Sequence, residues 1–116
     1  LLPLTDQTVD LMDGAAFNAM PRGGYLINCA RGECVVEADL LAALDSGQLG
    51  GATLDAFRDE PLAADSPLWR HPKVRITPHI ASLSAAETAA PILAEQVHRA
   101  RAGQALANQV DIADGY

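Results

Sequence analysis

Three side chains of the sequence are of types that could bind a carboxylate or transfer a proton. Arg31 follows a short apolar run, and a guanidinium group can hold a carboxylate through two parallel, charge-assisted hydrogen bonds. His79 follows another apolar run, and histidine gains or loses a proton near neutral pH. Glu60 lies in an acidic loop, and a carboxylate beside a histidine favours its charged form. Taken singly, each has a commoner explanation: a surface ion pair, a structural histidine and a solvated loop.

The elements that would position these side chains alternate along the chain. Short apolar runs predict buried strands, and intervening segments with helical spacing predict helices. This order indicates an α/β fold with a parallel sheet, in which sites form at the carboxyl ends of the strands. The opening Leu1–Leu4 could be a strand end, and Ser84 with Glu87 resembles a capping box. The predicted strands are Tyr25–Asn28, Gly51–Asp55 and Val74–Thr77, and the predicted helices are Asp13–Met20, Glu37–Ser46 and a last one that Gly103 closes.

Composition excludes several classes of protein. The 116 residues suffice for one domain, with a net charge of −7 and a pI near 4.6. This charge argues against nucleic-acid binding and against a polybasic membrane anchor. The sequence has no apolar run long enough to span a bilayer, and no signal peptide opens it. Cys29 and Cys34 form no disulfide framework or zinc pattern, so we expect reduced thiols and a cytoplasmic protein.

Other catalytic motifs are missing from the sequence. It has no G-x-S-x-G, P-loop or H-E-x-x-H pattern, and the spacing of His71 and His79 fits no metal site. Gly23 and Gly24 precede a predicted strand, which is the wrong order for a dinucleotide-binding fingerprint. A Gly-rich phosphate loop is therefore not found in these residues, and no metal ligand is predicted.

The order of the motifs resembles one family over nearly the whole chain. An Arg after the first strand, an Asp and a Glu-Pro-Leu after the second, and a Thr-Pro-His after the third follow one another at compatible spacings. The chain thereby resembles the D-isomer-specific 2-hydroxyacid dehydrogenases. The matching segments are Leu2–Thr5 with Thr8, Ile27–Gly32, Glu37–Leu44, Leu54–Phe57, Glu60–Leu62 and Thr77–Ala81.

This resemblance implies a partial Rossmann-like parallel sheet with flanking helices and a role for each site residue. Arg31 would hold the substrate carboxylate, His79 would protonate the 2-oxo oxygen, and Glu60 would orient His79. Because several motifs occur together, we prefer these roles to the commoner explanations. The residues expected to contact the cofactor are Pro3, Thr8, Cys29, Ala30 and Asp55, with Asp55 at the nicotinamide end.

Further motifs resemble the branch of the family that reduces glyoxylate and hydroxypyruvate, the A type. These are Pro67–Pro72, Arg101–Gly103 and Gly115–Tyr116. The branch implies NAD(P)H as cofactor, with NADPH slightly favoured, a small 2-oxoacid as substrate and a homodimer for the full-length protein. Family members often have Val at the position of Ala56 and Gly at that of Glu33, and Pro91 is unusual within the last helix.

The chain starts at Leu1 without Met and inside an apolar run, so we expect it to be a fragment. Residues 1–83 would be the C-terminal half of a nucleotide-binding domain. Residues 84–116 would be a trailing helix and tail that return toward an absent substrate domain. Alone, the fragment should be inactive and bind the cofactor weakly, because the phosphate loop would lie upstream. Two alternatives remain: a non-catalytic binding or regulatory module that reuses the fold, and a truncated, inactive product.

Overall fold

The computed structural model describes residues 1–82, 84–110 and 113. It divides into two compact units, Leu1–Ala81 and Ser82–Tyr116. The first unit contains the sheet, and the described residues of the second contain one helix. The division at residues 83 and 84, with the trailing part returning toward a substrate domain, stays a prediction.

The sheet has three parallel strands in the order β1-β2-β3, which confirms the predicted α/β fold. Each strand lies within three residues of its predicted bounds, because each is a short apolar run between turn-forming residues. In the register of the sheet Asn28 pairs with Leu54, and Leu54 pairs with Ile76. The three carboxyl ends are therefore level along one edge. The strands are β1 at Gly24–Asn28, β2 at Leu49–Leu54 and β3 at Val74–Ile76.

Two helices of the first unit lie where the sequence predicts them. Helix α1 spans Gly14–Ala19, and the Asp13 carboxylate caps it by accepting a 2.8 Å hydrogen bond from the N–H of Ala16. Helix α2 spans Glu37–Asp45 and is followed by Gly47 in the left-handed region, with φ at 72°. Helix α1 therefore begins at a capping carboxylate, and helix α2 ends just before a glycine that can adopt a left-handed conformation.

A single apolar core supports the first unit. Helices α1 and α2, strand β2 and the 3₁₀ turn Pro67–Arg70 each contribute a fully buried side chain to it. Burying one such side chain stabilises the fold by about 1.5–3 kcal/mol. The carboxyl ends of the strands are therefore supported by a well-packed apolar core. Its most deeply buried apolar residues are Phe17, Leu40, Leu44, Leu49 and Leu68.

The opening residues Leu1–Leu4 are not in a strand, so that expectation is wrong. The hydroxyl of Thr8 donates a 2.7 Å hydrogen bond to the carbonyl of Pro3 and accepts one of 2.8 Å from the N–H of Thr5. These bonds fold the segment into a turn, and Pro3 itself has no N–H for a sheet ladder.

The second unit contains helix α3, which spans Ala86–Arg101 and continues through Pro91. Its N-cap is Ala85, and among the described residues no side chain caps it, so the predicted capping box is wrong. The helix begins one residue too late for a cap at Ser84, and Thr88 donates its hydroxyl to the carbonyl of Ala85.

Gly103, with φ at 64°, follows the end of α3 as predicted. Residues 104–110 form no helix or strand, and the other residues of the predicted irregular tail lie outside the described part, except residue 113. Among the described residues, no helix is both long and apolar enough to cross a bilayer.

Candidate active site at the strand ends

The structure brings Glu60 and His79 into direct contact. Nδ1 of His79 lies 2.8 Å from Oε2 of Glu60, within hydrogen-bonding distance. Oε1 of the same carboxylate accepts a 2.9 Å hydrogen bond from the N–H of Phe57. The carboxylate is therefore fixed at one oxygen by its own loop and orients the imidazole with the other. Both side chains keep a partly exposed surface, 44% for His79 and 37% for Glu60, so the pair remains open to a ligand.

Electrostatics keep Glu60 ionised. The hydrogen bond from His79 holds the pKa of the Glu60 carboxyl below its ordinary value, and the N–H of Phe57 acts in the same direction. The positive charge of Arg31 also lowers this pKa. Glu60 is therefore an ionised acceptor that can hold the imidazole of His79 in one orientation.

The backbone of His79 has an uncommon conformation. Its φ is 54°, in the left-handed region, which costs a non-glycine residue about 1–2 kcal/mol. Pro78 precedes it, and the N–H of Thr77 still donates a 3.0 Å hydrogen bond to the carbonyl of Leu54 in β2. The imidazole is thus aimed by a short loop that turns sharply where β3 ends.

The loop that carries Arg31 is fixed at the end of β1 by the side chain of Asn28. Oδ1 of Asn28 accepts a 3.0 Å hydrogen bond from the N–H of Ala30, and Nδ2 donates one of 2.9 Å to the carbonyl of Arg31. The guanidinium of Arg31 donates to the carbonyl of Ala30 at 2.8 Å and is exposed. Sequence reasoning missed Asn28, although a polar residue that ends an apolar run signals a buried group needing partners.

Gly32 allows two site loops to pack backbone to backbone. A Cβ atom at this position would lie 1.8 Å from the carbonyl carbon of Phe57 and 2.1 Å from the nitrogen of Arg58. Only glycine permits this approach. The loop of Arg31 therefore lies directly against the loop that carries Glu60.

Arg58 joins three segments around these loops, a role for which no local sequence pattern is a signal. Its guanidinium pairs with the carboxylate of Asp10 and donates to the carbonyls of Glu33 and Val35. The turn near the start of the chain and the 3₁₀ turn Gly32–Cys34 are thereby attached to the loop after β2.

A mostly apolar pocket of about 350 Å³ borders the Glu60–His79 pair. Its rim includes Trp69, whose indole N–H donates a 2.9 Å hydrogen bond to the carbonyl of Ala63. The Glu60–Pro61 peptide bond beside it is cis. The pocket therefore offers an apolar wall beside a pair that stays accessible from solvent. The lining residues are Phe57, Glu60, Pro61, Leu62, Trp69, Ile76, Pro78 and His79.

The residues predicted to contact a cofactor lie in two places. Pro3 and Thr8 share the turn near the start of the chain, whereas Cys29 and Ala30 directly follow β1. A small hollow of about 120 Å³ runs beside the end of β1 and has Leu2 and Ala30 in its wall. Asp55 is 2% exposed at the end of β2.

This hollow is too small for a whole dinucleotide. Its lining is mainly apolar, as a flat nicotinamide ring requires, but the chain contains no Gly-rich loop for the phosphates. Across the described residues, no three His, Cys, Asp or Glu side chains cluster as metal ligands would.

Comparison with known proteins identifies the family. Residues 1–81 match the model of the D-isomer specific 2-hydroxyacid dehydrogenase, NAD binding domain. The whole chain is 48% identical to glyoxylate/hydroxypyruvate reductase A from Salmonella paratyphi B and to that from Salmonella choleraesuis, and covers 37% of each. The chain therefore belongs to the D-isomer-specific 2-hydroxyacid dehydrogenase family, and it spans just over a third of the length of these curated relatives.

Solved structures agree with this assignment. A D-isomer specific 2-hydroxyacid dehydrogenase from Xanthobacter autotrophicus Py2, in complex with NADPH and MES, is 48% identical with a TM-score of 0.94; the match covers this whole chain and 48% of that one. An NADPH-dependent glyoxylate/hydroxypyruvate reductase from Sinorhizobium meliloti, in complex with NADP and sulfate, is 41% identical with a TM-score of 0.91; the match covers 100% and 38% of the two chains. The predicted Rossmann-like fold is confirmed.

Proposed function

We propose that this chain supplies the proton donor and the substrate-binding arginine of an NAD(P)H-dependent 2-oxoacid reductase. Its substrates would be glyoxylate and hydroxypyruvate, reduced to glycolate and glycerate. The observation that carries the proposal is the 2.8 Å contact between His79 and a Glu60 carboxylate that is itself fixed by the N–H of Phe57. A histidine oriented in this way is the usual arrangement for a general acid at neutral pH.

Arg31 would bind the carboxylate of the 2-oxoacid. It is exposed at the carboxyl end of β1, and its positive charge already acts on Glu60. A planar guanidinium matches a carboxylate in two parallel hydrogen bonds, which fixes the orientation of a two- or three-carbon acid. Its charge would also polarise the adjacent 2-oxo group.

His79 would give a proton to the 2-oxo oxygen as the carbonyl is reduced. Since Nδ1 is engaged by Glu60, Nε2 is the nitrogen left to make this transfer. Glu60, which stays ionised, would hold the imidazole in the orientation for this transfer. The apolar pocket beside the pair would limit competition from water.

The cofactor would contact Pro3, Thr8, Cys29, Ala30 and Asp55, and when bound it supplies the hydride. The apolar hollow beside Ala30 supports a nicotinamide end near β1. NADPH is favoured over NADH because the similar structures contain NADPH and NADP. Without a phosphate loop, the chain by itself would bind the cofactor weakly and be inactive.

The remaining parts of the proposal concern the setting of the enzyme. A small 2-oxoacid is supported by a 40% identical structure from Rhizobium etli CFN 42, in complex with NADP, HEPES and L(+)-tartaric acid, a small hydroxyacid. We also propose a homodimer of the full-length protein, in the cytoplasm, without nucleic-acid or membrane partners. A non-catalytic module is less well supported, because it has no need of an oriented Glu60–His79 pair beside an arginine.

The test is a reductase assay of the full-length protein with glyoxylate and hydroxypyruvate, followed by loss of NADPH absorbance. His79→Ala should lower kcat by about 10²–10⁴-fold and leave substrate affinity largely intact. His98→Ala, on the exposed surface of α3, is the matched control and should retain wild-type rates. Near-normal turnover of His79→Ala would show that another group is the acid, and an inactive wild-type protein would refute the reductase.

A further inference from the structure

The carboxylate of Asp55 forms a dense group of hydrogen bonds around the loop of His79. Oδ1 accepts hydrogen bonds from the hydroxyl of Thr77 and, at 3.0 Å, from the N–H of Ile80. Oδ2 accepts one of 2.8 Å from the N–H of Ala81. One buried side chain therefore holds the loop both before and after the histidine.

Asp55 is itself held in place. It directly follows β2, is 2% exposed, and its N–H donates a 2.9 Å hydrogen bond to the carbonyl of Asn28 in β1. The Thr77 hydroxyl, followed by the N–H groups of Ala81 and Ile80, holds the pKa of the Asp55 carboxyl below its ordinary value. The group thus remains a carboxylate, the strongest acceptor available for these three donors.

The loop needs such support. His79 has φ at 54°, in the left-handed region, where non-glycine residues are uncommon although His, Asn and Asp occur there more often than other types. A strained backbone persists only when its surroundings determine it, and here the donors bound by Asp55 flank the strained residue on both sides.

We propose that Asp55 is a positioning residue for His79: by binding Thr77, Ile80 and Ala81, it imposes the backbone conformation that aims the imidazole at Glu60. The proposal rests on the proposed function for the role of His79 as proton donor. The three hydrogen bonds that Asp55 accepts from Thr77, Ile80 and Ala81, called the clamp below, are a property of this chain alone. The clamp gives Asp55 a task separate from the cofactor contact that the resemblance implies, and the two tasks affect different measurements.

The sharpest variant is Thr77→Val, which removes one donor and leaves the charge of Asp55 unchanged. Thr77→Ser restores the hydroxyl, and Thr53→Val is a matched control that removes a hydroxyl from β2, where it contacts Tyr25 at 3.1 Å. Asp55→Asn serves as the stronger disruption, because its amide N–H₂ would face one of the loop donors. If this variant fails to fold, the threonine series still decides the question.

The first measurement is amide hydrogen exchange of Ile80 and Ala81 by NMR in the chain itself. Thr77→Val should accelerate exchange about tenfold, the effect of losing one hydrogen bond to a charged group, whereas Thr77→Ser and Thr53→Val should not. Unchanged exchange in both Thr77→Val and Asp55→Asn would overturn the proposal. This outcome does not depend on whether the protein is a reductase.

The second measurement is steady-state kinetics of the full-length protein. We expect Thr77→Val to lower kcat about tenfold, with KM for NADPH within about twofold of wild type, and Thr77→Ser to recover the rate. A raised KM for NADPH at unchanged kcat would assign Asp55 and Thr77 to cofactor binding and overturn the positioning role. An inactive wild-type protein would refute the proposed function, and hydrogen exchange would then decide the clamp alone.

Discussion

The two halves of the candidate site differ in how firmly the chain holds them. On the acid side, Glu60 is fixed by the N–H of Phe57, and the loop of His79 is bound by the carboxylate of Asp55. On the substrate side, only the backbone around Arg31 is fixed, through Asn28. In the described part of the chain, the guanidinium of Arg31 has one hydrogen bond, to the carbonyl of the neighbouring Ala30.

This difference matches the two tasks. A proton donor is efficient when its geometry is set before the substrate arrives, because no reorganisation is then needed during the reaction. A group that recognises a carboxylate gains most of its partners from the ligand itself, so an exposed guanidinium is not a defect. Under the proposed roles, the acid half is preformed within these residues, whereas the binding half would be completed by the substrate.

The largest expected effect comes from Gly32→Ala, which disturbs both halves together. The new methyl group would overlap the backbone of Phe57 and Arg58, which cannot move without displacing the loop of Glu60. We expect a loss of about 3 kcal/mol in the free energy of unfolding, measured by denaturant titration. Gly14→Ala is the matched control, since its nearest neighbour, the Asp39 carboxylate, lies at an ordinary 3.4 Å. Equal effects of the two substitutions would contradict the close packing of the site loops.

Periodicity and strand order were sufficient to predict the sheet and to direct attention to the carboxyl ends of its strands, beyond which Arg31, Glu60 and His79 lie. Short apolar runs between turn residues mark parallel strands, and their carboxyl ends must be neighbours. The contact between Glu60 and His79 follows once both loops leave the same edge. Assigning roles to these residues needed the family resemblance, because each alone is commoner in a structural setting.

The support around the site could not be predicted from the sequence. Asp55 binds donors 22–26 residues away, and Arg58 joins segments 23–48 residues apart. Such contacts leave no local pattern, because they depend on how separate loops pack. The capping box predicted at Ser84 shows that a local pattern can also mislead. The residues match the motif, but the motif does not form because the helix begins one residue later.

A smaller effect, confined to the substrate half, is expected for Arg31→Lys. The variant keeps the positive charge but loses the two-pronged geometry, so it should raise KM for glyoxylate in the full-length protein by about tenfold to a hundredfold, with some loss of kcat. Arg22→Lys, on an exposed arginine that donates to the carbonyl of Ser46, is the matched control. If Arg31→Lys changed kcat alone, Arg31 would belong to the preformed half and the contrast between the halves would fail.

The smallest effect concerns the acid half at low pH. The pKa values of the Asp55 and Glu60 carboxyls both lie below their ordinary values, so the folded chain binds these protons less readily than the unfolded chain. Their stabilising contribution is therefore complete above the ordinary carboxyl range, about pH 4, and is lost as pH falls through the lower folded pKa values. Urea titrations of this chain between neutral pH and about pH 3 should show this decline.

Glu60→Gln, which cannot be protonated in this range, should be less stable than wild type at neutral pH, and its stability should decline less on acidification. Asp65→Asn, at an exposed loop position, should keep the wild-type slope, because it leaves both site carboxylates and their donors in place. A wild-type slope for Glu60→Gln as well would show that its hydrogen bonds to Phe57 and His79 add nothing to folding and act only on the orientation of the acid.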